Sequence, residues 1–390
     1  MTASVAEGPR LLAHLGDGPG LHPHRLRHLA PADVPLERLA AAAEAADLRG
    51  RGGAGFPFAT KLRTAARRGA VVVVNLSEGE PASHKDEALA TLRPHLILDG
   101  AALAARALGT RQVHLVLPGD RPHVGQRIQA AIDERHGSGG LQWRTHVAGD
   151  GFVSGQARAV IELMSGRANL PVTAWAPEAV SGFRGRPTLL SNAETYAQLC
   201  SIWSHGPDPA TMLITRDDGD GASTVVEVEL GAPWHTVLTA DELSRPVLLG
   251  GYHGVWVPAG ALADRRVDAE DLAELDARLG AGVVMPLPAG TCPVDRTAGI
   301  VSYLADQSAG RCGPCRFGLP SLALAVDYAR RGIGSTDRIE ELCGLVSGRG
   351  ACAHPDGTAR LVTSLLRWFG DELRLHQRQE CGYGTLAAAG

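Results

Sequence analysis

The stretch A-V-V-V-V-N-L-S-E-G-E-P, residues 70–81, decides the fold. Four consecutive valines, with no polar residue alternating between them, are the pattern of a strand covered on both faces. Such strands belong to mostly parallel sheets with helices on either side. The run stops at Asn75, and Ser77, Glu78 and Glu80 follow at once. In open α/β sheets, ligands bind beyond the carboxyl ends of the strands. Asn75 and the two glutamates are therefore candidate recognition groups, and a solvated acidic turn is the plainer alternative.

The neighbouring stretches support an α/β domain. P-L-E-R-L-A-A-A-A-E-A-A-D-L, 35–48, spaces its leucines and alanines as a helix. A helix is expected over 86–108, a strand at 112–118, a helix at 121–132, a strand near 141–147 and a helix at 156–166. G-R-P-T-L-L-S-N-A-E-T, 185–195, reads as a helix start with Ser191 or Asn192 as the cap. A phosphate held by Asn192 at that terminus is the sharper reading. The polar, glycine-containing D-D-G-D-G-A-S, 217–223, is a linker candidate. Short strands at 224–230, 246–252, 254–258 and 282–287 surround a small helix, a compact α+β unit of ~70 residues. Helical patterning follows at 296–308, 316–331, 336–347 and 358–378. The division is thus 1–216, 222–292 and 296–390.

The 390 residues suffice for two or three domains. A net charge of −4 argues against a nucleic-acid partner. No apolar run approaches the ~18 residues of a membrane span, and M-T-A-S-V-A-E-G-P-R lacks the pattern of a signal peptide. The chain reads as cytoplasmic, so its seven cysteines are expected as metal ligands, reactive thiols or core residues rather than disulfides. Lys61 and Lys85 are the only lysines; every other basic residue among the 38 is arginine. Both lie in or beside glycine-containing motifs, where a compact ammonium is not replaceable by a guanidinium.

Two further motifs carry chemistry. R-G-R-G-G-A-G-F-P-F-A-T-K begins at Arg49 and places four glycines within 50–55. Glycines let backbone N–H groups approach a phosphate or a flat ring, and a tight turn is the alternative. It is neither a Walker A loop nor a dinucleotide G-x-G-x-x-G after a strand. In Q-S-A-G-R-C-G-P-C-R-F-G, 307–318, Cys312 and Cys315 form a C-x-x-C pair, and Cys352 follows at a distance. Such a turn aims two thiolates at one metal. With Cys343 or His354 the set could hold zinc; an iron–sulfur cluster and a metal-free turn are the other readings. Cys200 and Cys292 are isolated in the sequence and read as core residues. Cys381 reads as a free thiol or a further ligand.

Taken in order, G-R-G-G-A-G-F-P with its lysine, N-x-x-E-G-E-P-x-x-x-K-D, and C-x-x-C with a distant cysteine resemble one family. It is the NADH-binding flavoprotein (51 kDa-type) subunit family of respiratory complex I and of NAD-linked hydrogenases and formate dehydrogenases. The resemblance covers about 45 to 375. It implies a flavin-mononucleotide (FMN) α/β domain, a ubiquitin-like domain and a helical bundle carrying a [4Fe–4S] cluster. It implies a flavin site of Gly50, Arg51, Gly52, Gly53, Lys61, Asn75, Glu78, Gly155, Ser191 and Asn192. Phe56, Lys61 and Glu80 would face the nicotinamide, with Glu80 and Lys61 as the catalytic pair, and Cys312, Cys315 and Cys352 would bind the cluster. NAD(P)H would be the donor, and a ferredoxin-like or membrane-reductase partner in a hetero-complex the acceptor. The chain would then be cytoplasmic, peripheral to a membrane complex.

The chain also departs from the family pattern. Ala309 stands at the first cluster-ligand position, so a [4Fe–4S] cluster would need a fourth ligand from Cys343, His354, Cys381, water or a partner; otherwise the cluster is [3Fe–4S]. On the nicotinamide side the family's second ring-stacking phenylalanine is Thr64, its acidic pair is Gln156 and Ala157, and its tyrosine is Phe152. Its K-P-P-F stretch reads A-W-A-P, 174–177, and beside the flavin Ser77 replaces an aspartate. An aromatic pair contributes roughly 0.5–1.5 kcal/mol and a charged hydrogen bond roughly 1.5–3, so weaker NAD(H) contacts are expected. Two functions follow: an electron-transfer oxidoreductase subunit, or a scaffold with a relict nucleotide site and a structural zinc or iron–sulfur centre.

Overall fold

The computed structural model describes residues 3–31, 33–135 and 140–384. Residues 1–2 and 385–390, the outer ends of the expected first and third domains, lie outside them. The chain divides into two compact units, Met1–Thr215 with Ser223–Leu230, and Arg216–Ala222 with Gly231–Gly390.

In the first unit the valine run forms the strand Val71–Asn75. It lies inside a four-stranded sheet with the order 142–148, 112–118, 71–75, 188–192, and every neighbouring pair is parallel. Alternate side chains serve opposite faces. Val72 and Val74 pack with Leu96, Ile97 and Leu115, whereas Val71 and Val73 pack with Val116, Val160 and Phe183. All four valines are fully buried, each contributing roughly 1.5–3 kcal/mol. The helices Pro94–Ala107 and Ala193–His205 add Leu96, Ile97, Tyr196 and Leu199 to the first of these cores, and Ala157–Met164 adds Val160 and Ile161 to the second.

Two local features differ from the sequence expectation. The helix expected over 86–108 is two helices, Lys85–Leu92 and Pro94–Ala107. Proline disfavours the helical conformation in the residue before it, and Arg93 takes φ −139° between them. The start of the 185–195 stretch is a strand, Thr188–Asn192, and only then does the helix begin. Its two leucines are too few to announce a strand. The 217–223 stretch is the turn between the strands Thr211–Asp217 and Ser223–Glu229, where Asp218 accepts from the Asp220 and Ala222 amides.

The second unit contains the antiparallel strands Val247–Leu249, Val255–Val257 and Val283–Pro286. Four helices follow, Pro293–Asp306, Leu319–Arg330, Thr336–Val346 and His354–Gln377. Trp256 joins strand to helices: its indole donates to Thr297 Oγ1 at 2.8 Å and its amide to Ser364 Oγ at 2.9 Å. Among the described residues no helix is long and apolar enough to cross a membrane.

Helix packing in the first unit turns on one glycine. A Cβ on Gly100 would lie 1.8 Å from the Tyr196 carbonyl oxygen, whereas one on Gly299 would meet nothing within 4 Å. Gly100→Ala is expected to destabilise the first unit by at least ~1–3 kcal/mol, as overpacking does. Gly299→Ala, inside a helix, is expected to be neutral or stabilising by up to ~1 kcal/mol. Thermal melts of the two variants beside wild type check the contrast.

Candidate functional site

The strand order reverses between Val71–Asn75 and Thr188–Asn192, because the chain builds outward through 112–118 and 142–148 and then returns to the other side. Such a switch point opens a crevice at the carboxyl ends of the strands. Asn75 stands opposite Asn192, and Val74 opposite Ser191. Asn75 Nδ2 donates to the Gly155 carbonyl at 2.8 Å, and its Oδ1 accepts from Ser77 N and Oγ at 3.1 and 2.6 Å. A Cβ on Gly155 would lie 2.0 Å from Ser77 O, and one on Gly79 2.2 Å from Phe152 O. The two loops therefore meet backbone to backbone and form one wall. Ser191 is buried, and its Oγ has no hydrogen-bond partner among the described residues.

The glycine loop lies against the same end of the sheet. Gly50 N donates to Phe56 O at 2.9 Å and closes the turn, with Gly53 and Gly55 at φ 97° and 62°. The Cβ position of Gly52 is 3.4 Å from Asn192 Cβ. Arg51 is turned inward: its amide donates to Thr195 Oγ1 at 3.0 Å and its guanidinium to Thr211 O at 2.9 Å, with Nε 3.8 Å from Glu194. Lys61 donates to Leu190 O at 3.0 Å, and burial lowers its pKa against the pull of Glu178. Phe56 is half exposed.

Beneath this surface lies a buried charge cluster whose signal in the sequence was the K-D pair. Lys85 Nζ is 3.0 Å from Asp86, 2.9 Å from Asn192 Oδ1, 3.2 Å from Glu194 and 3.9 Å from Glu78. Burial alone would lower the Lys85 pKa, but Asp86, Glu194 and Glu78 outweigh it and hold the ammonium above its ordinary value. Asn192 donates to Asp86, and its Oδ1 also caps the helix at Glu194 N, 3.0 Å away. Burial, then Asp86, push Glu78 up to about 7 against Lys85, Ser83 and Arg121.

On the expected nicotinamide side, Glu80 is buried, and its carboxylate lies 3.5 Å from the Ala82 amide. Gln156 precedes the helix Ala157–Met164 as its N-cap residue. Arg158 pairs with Glu178 at 2.8 Å and holds the Ala176 and Ser181 carbonyls. Trp175, just upstream, is 85% exposed.

In the second unit the C-x-x-C pair runs into a π-helical turn, Pro314–Gly318, which carries Cys315. The Cys312 sulfur receives the backbone N–H groups of Ala351 and Cys315, which brings the Cys352 segment against it; these bonds pull its pKa down despite burial. Burial and Cys312 push Cys315 up. The candidate fourth ligands are engaged elsewhere. The Cys343 thiol faces the Ala359 carbonyl at 3.9 Å. His354 receives His253 Nε2 at its Nδ1, 3.0 Å, and donates from Nε2 to Leu304 O, 2.8 Å. Cys381 and Cys292, expected as a free or cluster-directed thiol and an isolated core residue, instead share a site with Glu372 and His376. Sequence reasoning also passed over Ser308, whose buried hydroxyl lies beside Cys315.

A parallel sheet with a crevice at its switch point, and a helical unit that gathers cysteines, define a flavin and iron–sulfur oxidoreductase subunit. The Nuo51 FMN-binding domain model matches residues 43–201, and that of the NADH-ubiquinone oxidoreductase-F iron-sulfur binding region matches 295–376. The chain belongs to the NADH-binding flavoprotein (51 kDa-type) subunit family. It is 26% identical over 367 residues to the mitochondrial NADH dehydrogenase (ubiquinone) flavoprotein 1 of Dictyostelium discoideum, covering 84% of this chain and 76% of that one. It is 27% identical over 369 residues to the NADP-reducing hydrogenase subunit HndC of Solidesulfovibrio fructosivorans, covering 84% and 74%. The solved NAD+-reducing [NiFe]-hydrogenase in its air-oxidized state superposes with a TM-score of 0.84 at 25% identity, covering 96% of this chain and 68% of that one.

Lys85→Met leaves three buried carboxylates without their cation and is expected to destabilise the first unit by ~3–5 kcal/mol. Glu78 tests the same cluster through pH. Its folded pKa lies above its ordinary 4.5, so its contribution is full below about pH 4.5 and is lost as pH rises through about 7. Glu78→Gln, which keeps the protonated shape, is therefore expected to gain stability relative to wild type between about pH 5 and about pH 8. A melting series across that range checks the sign.

Proposed function

We propose that FMN is held at the switch point of the first unit, and that electrons leave it singly through an iron–sulfur cluster on Cys312, Cys315 and Cys352 for a partner subunit. The observation that carries this reading is the buried Ser191 Oγ, without a hydrogen-bond partner among the described residues, on the strand that pairs Asn192 with Asn75. A buried hydroxyl without a partner costs roughly 1–3 kcal/mol, and a polar ligand in the crevice removes that penalty. Gly50, Gly52, Gly53 and Gly155 supply close backbone, and Asn75, Lys61, Glu78, Ser191 and Asn192 the polar contacts. Arg51 acts from behind as an anchor of the loop. FMN, when bound, supplies a junction between two-electron and one-electron transfer.

Phe56, Glu80 and Lys61 are the groups that would receive a nicotinamide, with NAD(H) as the donor class. Thr64, Ala157 and Ala174 leave that donor held more weakly than in the family pattern. Cys312 and Cys315 lie in contact, and the Cys312 sulfur receives the amide of Ala351, the residue before Cys352, which supports iron–sulfur ligation by the three. The position of Ala309 leaves the fourth iron to a hydroxyl, water or partner group. Phe317, two residues beyond Cys315, is 73% exposed, which supports docking of a one-electron acceptor beside the cluster. The ferredoxin-like or membrane-bound reductase class fits that role. Both family matches and the retained flavin wall favour electron transfer over a scaffold.

In anaerobically purified protein, Ser191→Ala and Asn75→Ala are each expected to weaken FMN retention about tenfold, with iron content unchanged. Cys312→Ala is expected to abolish the iron chromophore and keep FMN, and Cys200→Ala to keep both. Full FMN retention in both flavin-site variants would remove the proposed site. Full iron content in Cys312→Ala would remove the proposed ligand set.

A further inference from the structure

Cys292, Glu372, His376 and Cys381 offer four ligand atoms that all lie within 4.8 Å of one another. Their sequence separation hides the set. Cys292 ends the loop before the helix Pro293–Asp306, Glu372 and His376 share one face of the helix His354–Gln377 at i and i+4, and Cys381 follows that helix. Cys292, Glu372 and His376 are buried, and Cys381 is partly so.

Three of the six ligand-atom separations lie near the edges of a tetrahedral metal site, and the other three are within 4.8 Å. With metal–nitrogen and metal–oxygen bonds of ~2.0 Å and metal–sulfur bonds of ~2.3 Å, tetrahedral edges are ~3.3 Å between N and O and ~3.5 Å between S and N or O. His376 Nε2 is 3.2 Å from Glu372 Oε1, and Cys292 Sγ is 3.4 Å from His376 Nε2 and 3.9 Å from Glu372 Oε1. The supporting contacts fit as well. His376 Nδ1 donates to the Arg330 carbonyl at 2.7 Å, which turns the Nε2 lone pair toward the two sulfurs and the carboxylate. The Gly382 amide donates to Glu372 at 3.0 Å. Burial pushes the Cys292 thiol up, while backbone N–H groups of Asp295 and Val294 reach its sulfur at the helix N-terminus and act against that.

We propose that these four residues bind a zinc(II) ion, separate from the Cys312, Cys315 and Cys352 centre. Binding displaces the protons of the two thiols and releases them to solvent, leaving two thiolates, one neutral imidazole and one carboxylate around the ion. Four protein ligands close the coordination sphere, which makes the site structural rather than catalytic. It ties the segment after the last helix to the start of the first helix of the bundle. An alternative cluster, His24 with Asp99 and Cys200, is already neutralised by Arg25 and Arg135 on Asp99.

The test measures zinc and iron together in the full-length holoprotein by plasma mass spectrometry. About one zinc per chain is expected after dialysis. Cys381→Ser and His376→Gln should lose zinc and keep iron and FMN, while Cys312→Ala should lose iron and keep zinc. Retained FMN and an unchanged circular dichroism spectrum show that a variant has folded. Should both variants fail to fold, wild type grown with cobalt decides: a thiolate-to-cobalt charge-transfer band with tetrahedral ligand-field absorption supports the site. Wild type with neither zinc nor that cobalt spectrum overturns it. So does zinc that persists in folded Cys381→Ser or departs with Cys312→Ala.

Discussion

The ammonium of Lys85 is the constraint on which the switch-point crevice of the first unit depends. It lies at the start of one helix and touches the carboxylates of Asp86, Glu78 and Glu194 and the side-chain oxygen of Asn192. It therefore ties the loop after the central strand to the start of the helix that follows the returning strand. Asn192 is held at the switch point by this contact. A guanidinium is larger and planar and would not fit among three carboxylates converging on one point. This explains why lysine stands here in a chain whose other basic residues, Lys61 apart, are arginine.

The sheet was legible because its central strand carries an unbroken valine run, and burial on both faces leaves no other pattern. The glycine loop, Asn75 and the C-x-x-C pair were legible because their chemistry is local in sequence. What stayed hidden was set by tertiary contacts. The strand Thr188–Asn192 is polar at both ends and was masked by the helix cap that follows it. The family resemblance counts Arg51 in the flavin site, and Glu194 and the Thr211 carbonyl draw its side chain inward. Cys292 and Cys381 looked unrelated because the fold, not their spacing, brings them to Glu372 and His376.

The departures from the family pattern fall unevenly, and the physics of each surface accounts for it. The wall of the crevice is made of backbone contacts at Gly79 and Gly155 and of buried polar groups whose loss would unsettle the fold. On the expected nicotinamide side Trp175 is exposed and Thr64 only partly buried, so exchange of these two costs the fold little. At the expected cluster position Ala309 stands where the family pattern has a ligand, while the Cys312 sulfur receives the Ala351 and Cys315 amides. The cofactor framework is thus kept where it is also structural.

The most direct test of the account is photoreduction of the anaerobic holoprotein with EDTA as sacrificial donor, following flavin absorbance and the electron paramagnetic resonance of the iron–sulfur centre together. This bypasses the identity of the natural donor. The account predicts that the iron–sulfur signal grows in as the flavin bands bleach, with both cofactors reduced in the same molecules. Bleaching of the flavin with an unchanged iron–sulfur centre, or a protein that carries no flavin to bleach, would contradict it.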